Sequence, residues 1–194
     1  MERKMLWAGF GLLAIVLAAA ISRTLFTQKE FNGVEISPPP SAPVLPPLVN
    51  QANRVTDSGD FANKVVLLFF GYTNCPDECP ATLAKLRTVF SDLPDAERSN
   101  VKVIFVTTDP NRDTPERLAS YLKNFNSDFI GLTGTASDLR KIWNDYGVTV
   151  LDDGATHSTR VYVIDKEGKL RLTFPAEMTP YEMFDDVRQL LQEQ

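Results

Sequence analysis

The run Lys64-Val65-Val66-Leu67-Leu68-Phe69-Phe70 constrains the fold more than any other stretch of the chain. Its apolar residues follow one another without alternation, so a strand made from them is covered on both faces. Such a strand belongs inside a parallel or mixed sheet flanked by helices. Gly71 ends the run, Pro80 stands where the first turn of a helix tolerates it, and Leu83, Leu86, Arg87 and Phe90 follow at helical spacing. The unit then repeats. Residues 101–107 read as a second buried strand, and Thr114-Pro115 as N-cap and first residue of a helix to about Phe125. A third strand lies near residues 129–132, and Thr135 with Asp138 forms a capping box for a helix through Trp143 to Tyr146, stopped by Gly147. Segments 160–165 and 169–174 flank Asp165-Lys166-Glu167-Gly168, the composition of a hairpin turn between antiparallel strands. Thr179-Pro180 then caps a helix whose Met183, Phe184, Val187, Leu190 and Leu191 form one apolar stripe.

Strands alternating with helices, then a hairpin and a closing helix, predict an α/β fold: a three-layer sandwich with a mixed central sheet, as in thioredoxin-like domains. Upstream of it, Met5 to Ile21 gives 17 residues without a charge, preceded by Arg3 and Lys4. As a helix this stretch spans about 26 Å, the low end of a bilayer core. The basic flank keeps the N-terminus cytoplasmic and sends the remainder across. A cleaved signal segment is the alternative, with Leu17-Ala18-Ala19-Ala20 as the small-residue site, and either reading exports the domain. With no Arg-rich, Ser-rich presequence, the setting expected is a bacterial inner membrane, single pass, with the soluble domain in the oxidising periplasm. Pro38 to Pro47 holds six prolines in ten residues, which reads as a semi-rigid polyproline spacer rather than an SH3-type ligand. The expected boundaries are an anchor or signal segment over 1–24, a Pro-rich linker over 25–47 and a thioredoxin-like domain over 48–194.

Charge and ligand counts narrow the chemistry. Of 194 residues, 25 are Asp or Glu against 20 Lys or Arg, with no basic cluster, so no nucleic-acid partner is expected. One histidine excludes sites that need two imidazoles, and two cysteines exclude a disulfide-dense scaffold. Both cysteines fall in one loop, Cys75-Pro76-Asp77-Glu78-Cys79-Pro80, between the buried strand and the following helix. Near-helical geometry brings residues four apart to about 6 Å, within reach of a disulfide, whereas an extended loop holds them about 13 Å apart. The helix start favours negative charge, so a lowered thiol pKa is expected for Cys79. A structural disulfide here would close a five-residue ring and remove little chain entropy, which favours an active pair. His157, ahead of the strand 160–165, reaches the same rim only if that strand runs opposite to the first.

The stretch Phe70-Gly71-Tyr72-Thr73-Asn74-Cys75-Pro76-Asp77-Glu78-Cys79-Pro80 closely resembles the signature of the Sco/SenC family, membrane-anchored copper proteins of cytochrome c oxidase assembly. Thr108-Asp109-Pro110, Asp113-Thr114-Pro115, His157-Ser158 and Val161 to Asp165 with Gly168-Lys169 extend the resemblance over roughly residues 60 to 192. It implies a thioredoxin-like domain in which Cys75, Cys79 and His157 bind one copper ion and pass it toward the dinuclear CuA site of oxidase subunit II. Other periplasmic copper chaperones or thiol reductants are the further partners implied. Ala155-Thr156 stands where family members usually carry an acidic residue before the histidine, and Asn63-Lys64 where Gly-Lys is common.

Two thiolates and one imidazole suit Cu(I), whereas zinc wants a fourth ligand, for which Asp77 or Glu78 is the candidate. The rival reading is an enzyme: a membrane-tethered thiol-disulfide oxidoreductase in which one thiolate attacks a partner disulfide and the other resolves it, with no need of His157. A peroxiredoxin-like peroxidase is the weaker third reading.

Overall fold

The protein is described by a computed structural model covering residues 30–151 and 159–193. One eight-stranded sheet organises it: β1 (Val34–Glu35), β2 (Leu48–Asn50), β3 (Val55–Thr56), β4 (Val65–Gly71), β5 (Val101–Thr107), β6 (Ile130–Thr133), β7 (Val161–Ile164) and β8 (Leu170–Phe174), in the order β1-β8-β7-β4-β5-β6-β2-β3. β4 pairs parallel with β5, and β5 with β6, while every other pairing is antiparallel. All seven residues of β4 are buried, as an unalternating apolar run requires. The hairpin is formed by β7 and β8, with Gly168 at φ +75° in its turn.

The helices are α1 (Glu78–Asp92), the short α2 (Asp95–Arg98), α3 (Pro115–Leu122), α4 (Ala136–Asp145) and α5 (Pro180–Gln192). Thr114, Thr135 and Thr179 accept hydrogen bonds from the backbone N–H groups of Arg117, Asp138 and Glu182, so each expected N-cap forms. Gly147 ends α4's C-terminal turn at φ +66°. Two faces result from the strand alternation. Val66, Leu68, Phe70, Ile104 and Val106 meet Leu139, Ile142 and Trp143 of α4. On the other face Phe105 meets Tyr121 of α3, Gly131 lies against Leu118 and Leu122, and α5 packs beside α1. Arg87, spaced with the apolar positions of α1, is exposed, and Val89 is buried instead.

The Pro-rich linker expected over 25–47 is corrected by this architecture from Asn32 onward. Val34 pairs with Thr173 at one edge of the sheet, Ser41 bridges to Lys169, Leu45 is only 4% exposed in the core, and Leu48 opens β2, next to the strand at the opposite edge. Residues 32–47 are therefore a strap across one face, inside the folded unit that begins at Asn32. The strap's prolines lack N–H donors and need no ladder partners, so an extended segment can cross strands with few backbone groups left to satisfy. Asn63 takes φ +61°, a left-handed conformation that asparagine tolerates, which accounts for a residue other than glycine there. The expected membrane segment, residues 1–24, falls outside the described residues; among those described, no helix is long and apolar enough to cross a membrane.

Candidate metal centre

β4 ends at Gly71 and the chain turns through residues 72–77 into α1, which places Cys75 in the loop and Cys79 in the first helical turn. The turn is held by the Cys75 N–H donating to the Tyr72 carbonyl (3.2 Å) and the Ala81 N–H to that of Asp77 (3.1 Å). Both cysteines are free thiols, Cys75 half-buried and Cys79 buried. The loop brings them together: the Cys79 N–H donates to Cys75 Sγ at 3.4 Å, so one sulfur caps the backbone of the other residue. The Cys79 sulfur turns inward. A Cβ on Gly71 would lie 2.8 Å from Cys79 Sγ and 3.0 Å from the edge of the Phe105 ring, so the glycine's empty side is the seat of the sulfur.

Burial pushes the Cys79 thiol well above its ordinary value, with Cys75 and Asp113 adding to the rise against an opposing backbone hydrogen bond from Tyr72. The lowered value expected from the helix start is thus reversed. The sulfur is withdrawn from water, and the desolvation of a thiolate outweighs the favourable helix end.

A cavity of about 190 Å³ opens beside the sulfurs, lined by Phe70, Tyr72, Cys75, Asp77, Cys79 and Thr159 among others. Thr159 brings a distant part of the chain to this rim. β7 runs antiparallel to β4, with Val161 opposite Phe69, so the chain entering β7 arrives where β4 delivers the cysteine loop. His157 itself lies outside the described residues, two positions before Thr159. Among the described residues no three His, Cys, Asp or Glu side chains cluster as a metal site. Asp77 and Glu78 are exposed, as solvated charges at a helix start. Two soft sulfurs, one buried and one half-buried, with the Asp77 and Glu78 carboxylates exposed beside them, form a donor set that fits a soft monovalent ion such as Cu(I).

Sequence reasoning missed what stands behind the loop. Asp113, noted only within a motif, has no exposed surface and accepts hydrogen bonds from the backbone N–H of Thr73 (3.0 Å) and the hydroxyls of Thr73 (2.6 Å) and Thr107 (2.7 Å).

The SCO1/SenC family model matches residues 47–192. The chain belongs to that family. A putative copper-binding protein of Stutzerimonas stutzeri is 35% identical over 128 residues, covering 66% of this chain and 62% of the relative. The match thus spans under two thirds of that relative's length. The structure of Bradyrhizobium japonicum ScoI with copper bound superposes with a TM-score of 0.68 at 28% identity, covering 78% of this chain and 99% of that one. A Sco-family cytochrome c oxidase assembly protein with an identified disulfide switch shares the fold, with a TM-score of 0.65 at 24% identity over 86% of this chain and 98% of its own. The expected thioredoxin-like α/β sandwich with a mixed sheet is therefore the fold of this Sco protein.

Proposed function

We propose that this Sco protein is a copper metallochaperone that binds one copper ion through Cys75, Cys79 and His157 and supports assembly of the CuA site in cytochrome c oxidase subunit II. The observation that carries the reading is the shared cavity: two free thiols and Thr159, two residues after the only histidine, line one pocket. Two thiolates and an imidazole complete a low-coordinate soft site. Copper is the cargo here, and the half-buried Cys75 sulfur is the donor through which a partner gains access. The copper-bound relative supports the choice of metal. An anchor over residues 1–24, at a bacterial inner membrane with the domain in the periplasm, would keep the carrier beside a membrane-bound oxidase. Copper titration of the reduced chain, read by X-ray absorption at the metal edge, tests the reading. A stoichiometry of one, with two sulfurs and at least one nitrogen, is expected, and His157→Ala should remove the nitrogen and weaken binding. Copper bound by sulfur alone in the unaltered protein would overturn the assignment.

A second reading, a thiol-disulfide oxidoreductase, is favoured by the difference in exposure between the cysteines. Cys75 would attack a partner disulfide and release one partner thiolate. Cys79 would then resolve the mixed disulfide, releasing the second. Undiminished thiol exchange in His157→Ala, with copper binding lost, separates this activity from the first.

A further inference from the structure

Asp113 is a buried carboxylate that the copper site does not use. It follows the turn after β5, its N–H donating to the Asp109 carbonyl (2.9 Å), and precedes Thr114, the N-cap of α3. Thr73 donates its hydroxyl to one carboxylate oxygen and its backbone N–H to the other, which also accepts from the hydroxyl of Thr107. Arg117, one turn into α3, donates from Nε to the Thr73 hydroxyl at 2.6 Å and stands 3.9 Å from the Asp113 carboxylate. The Thr73 hydroxyl is thus a donor to one side chain and an acceptor from the other. Three segments meet at one buried charge: the cysteine loop, the end of β5 and the start of α3. A buried, hydrogen-bonded ion is a poor source of stability, since apolar residues of similar volume commonly serve as well or better. What it supplies is a fixed geometry, and here the fixed point is Thr73, two residues before Cys75.

We propose that Asp113, acting through Thr73, is a positioning residue that holds the cysteine loop in its open dithiol form and opposes closure of a Cys75–Cys79 disulfide. The inference deepens the copper reading, on which it rests for its purpose, because only the reduced pair offers two thiolates to the metal. Cys75 Sγ now lies against the Cys79 N–H, and Cys79 Sγ sits in the recess at Gly71. A disulfide requires the two sulfurs about 2.05 Å apart, so closure must reshape the loop between them. Closure draws Cys75, two residues beyond Thr73, toward the seated Cys79 sulfur, so the pull is transmitted to the two atoms at which Thr73 is tied down. The clamp's bonds are fully made in the dithiol form and are strained or broken in the disulfide form.

The test uses the copper-free full-length chain equilibrated with glutathione. The protein dithiol and glutathione disulfide give the protein disulfide and two glutathione thiols. Two electrons pass from the protein sulfurs to the glutathione S–S bond, and the two thiol protons end on the released glutathione. Free thiols are counted by alkylation and mass spectrometry, and both redox forms are melted. Thr73→Val and Asp113→Asn should move the equilibrium about tenfold or more toward the protein disulfide, the change expected when a hydrogen bond to a charged group is lost from one form only. Thr73→Ser, which keeps the hydroxyl, should stay near the unaltered protein. A purely structural role would lower both melting temperatures equally and leave the equilibrium constant unchanged, and that result, or a shift toward the dithiol, overturns the proposal. Should Asp113→Asn fail to fold, Thr73→Val decides alone. Copper titration of the unaltered chain is run in parallel, so failure of the copper reading and failure of the clamp register in different measurements.

Discussion

At Gly71 the difference between a hydrogen atom and a methyl group decides where the Cys79 sulfur sits. Gly71→Ala places a Cβ 2.8 Å from Cys79 Sγ, closer than real contacts allow, and a tight 3.0 Å from Phe105 Cε2. The Phe105 ring is held against Phe69 and Tyr121, so the sulfur is the group with room to move. The variant should destabilise the fold by about 1–3 kcal/mol, as overpacking does, and weaken copper binding by about tenfold or more. Thermal melting and competitive copper titration check the two effects, and unchanged copper affinity would show that the seat is not needed for the metal. The cysteines themselves were legible from spacing and placement, because a loop between a buried strand and a helix start is local information. Neither the direction of the Cys79 shift nor the role of Asp113 was. Both depend on groups brought together from distant parts of the chain, and at a buried thiol desolvation prevails over the short-range pull of the helix end.

Among the elements, the buried strands, the principal helices and the hairpin were legible because each carries its own period or turn chemistry. The strap was not. Six prolines in ten residues look the same whether the segment projects into water or lies on a sheet, and β1, β2 and β3, at two or three residues each, are too short to show a pattern. What fixes the strap is scattered. Asp186, in α5 and 1% exposed, accepts from the backbone N–H groups of Asn32 (2.9 Å) and Gly33 (2.8 Å), while the Leu45 N–H donates to the Ser58 hydroxyl (2.6 Å). A chain beginning at Leu48, where composition alone suggests a boundary, should therefore be less stable than one beginning at Asn32. Loss of the buried Leu45 side chain amounts to about 2 kcal/mol on its own, with the β1 pairing in addition. Urea unfolding of the two chains measures the difference, and equal midpoints would mean that the strap adds nothing to the fold.

Over the whole molecule, the strap, the sheet and α4 are joined through one aromatic group. Phe70, Tyr146 and Tyr162 have ring centroids 5.1–5.7 Å apart; the Tyr146 hydroxyl donates to the strap carbonyl of Pro43 (3.0 Å), and the Tyr162 hydroxyl to the carbonyl of Tyr146 (2.8 Å). Burial raises the pKa of both phenols above the ordinary 10.0, and raises the Cys79 thiol above 9.0. The folded chain therefore holds these protons more tightly than the unfolded chain does. Their contribution is fully present below the unfolded values and is lost as pH rises through those values toward the folded ones. Stability of the copper-free chain should stay level up to about pH 9 and then fall, by more than about 1 kcal/mol by pH ~10.5. The carboxylates with lowered values, the exposed Glu116 and the partly exposed Glu182, sit at helix starts in contact with water, so no comparable loss is expected from them on the acid side. Urea midpoints measured across the alkaline range check the limb. Tyr146→Phe separates its causes: removing that phenol should lower stability at neutral pH, through loss of the bond to Pro43, and make the alkaline decline shallower. A decline of unchanged steepness would assign the limb to Tyr162, the Cys79 thiol and Tyr121, a third phenol raised by burial, instead.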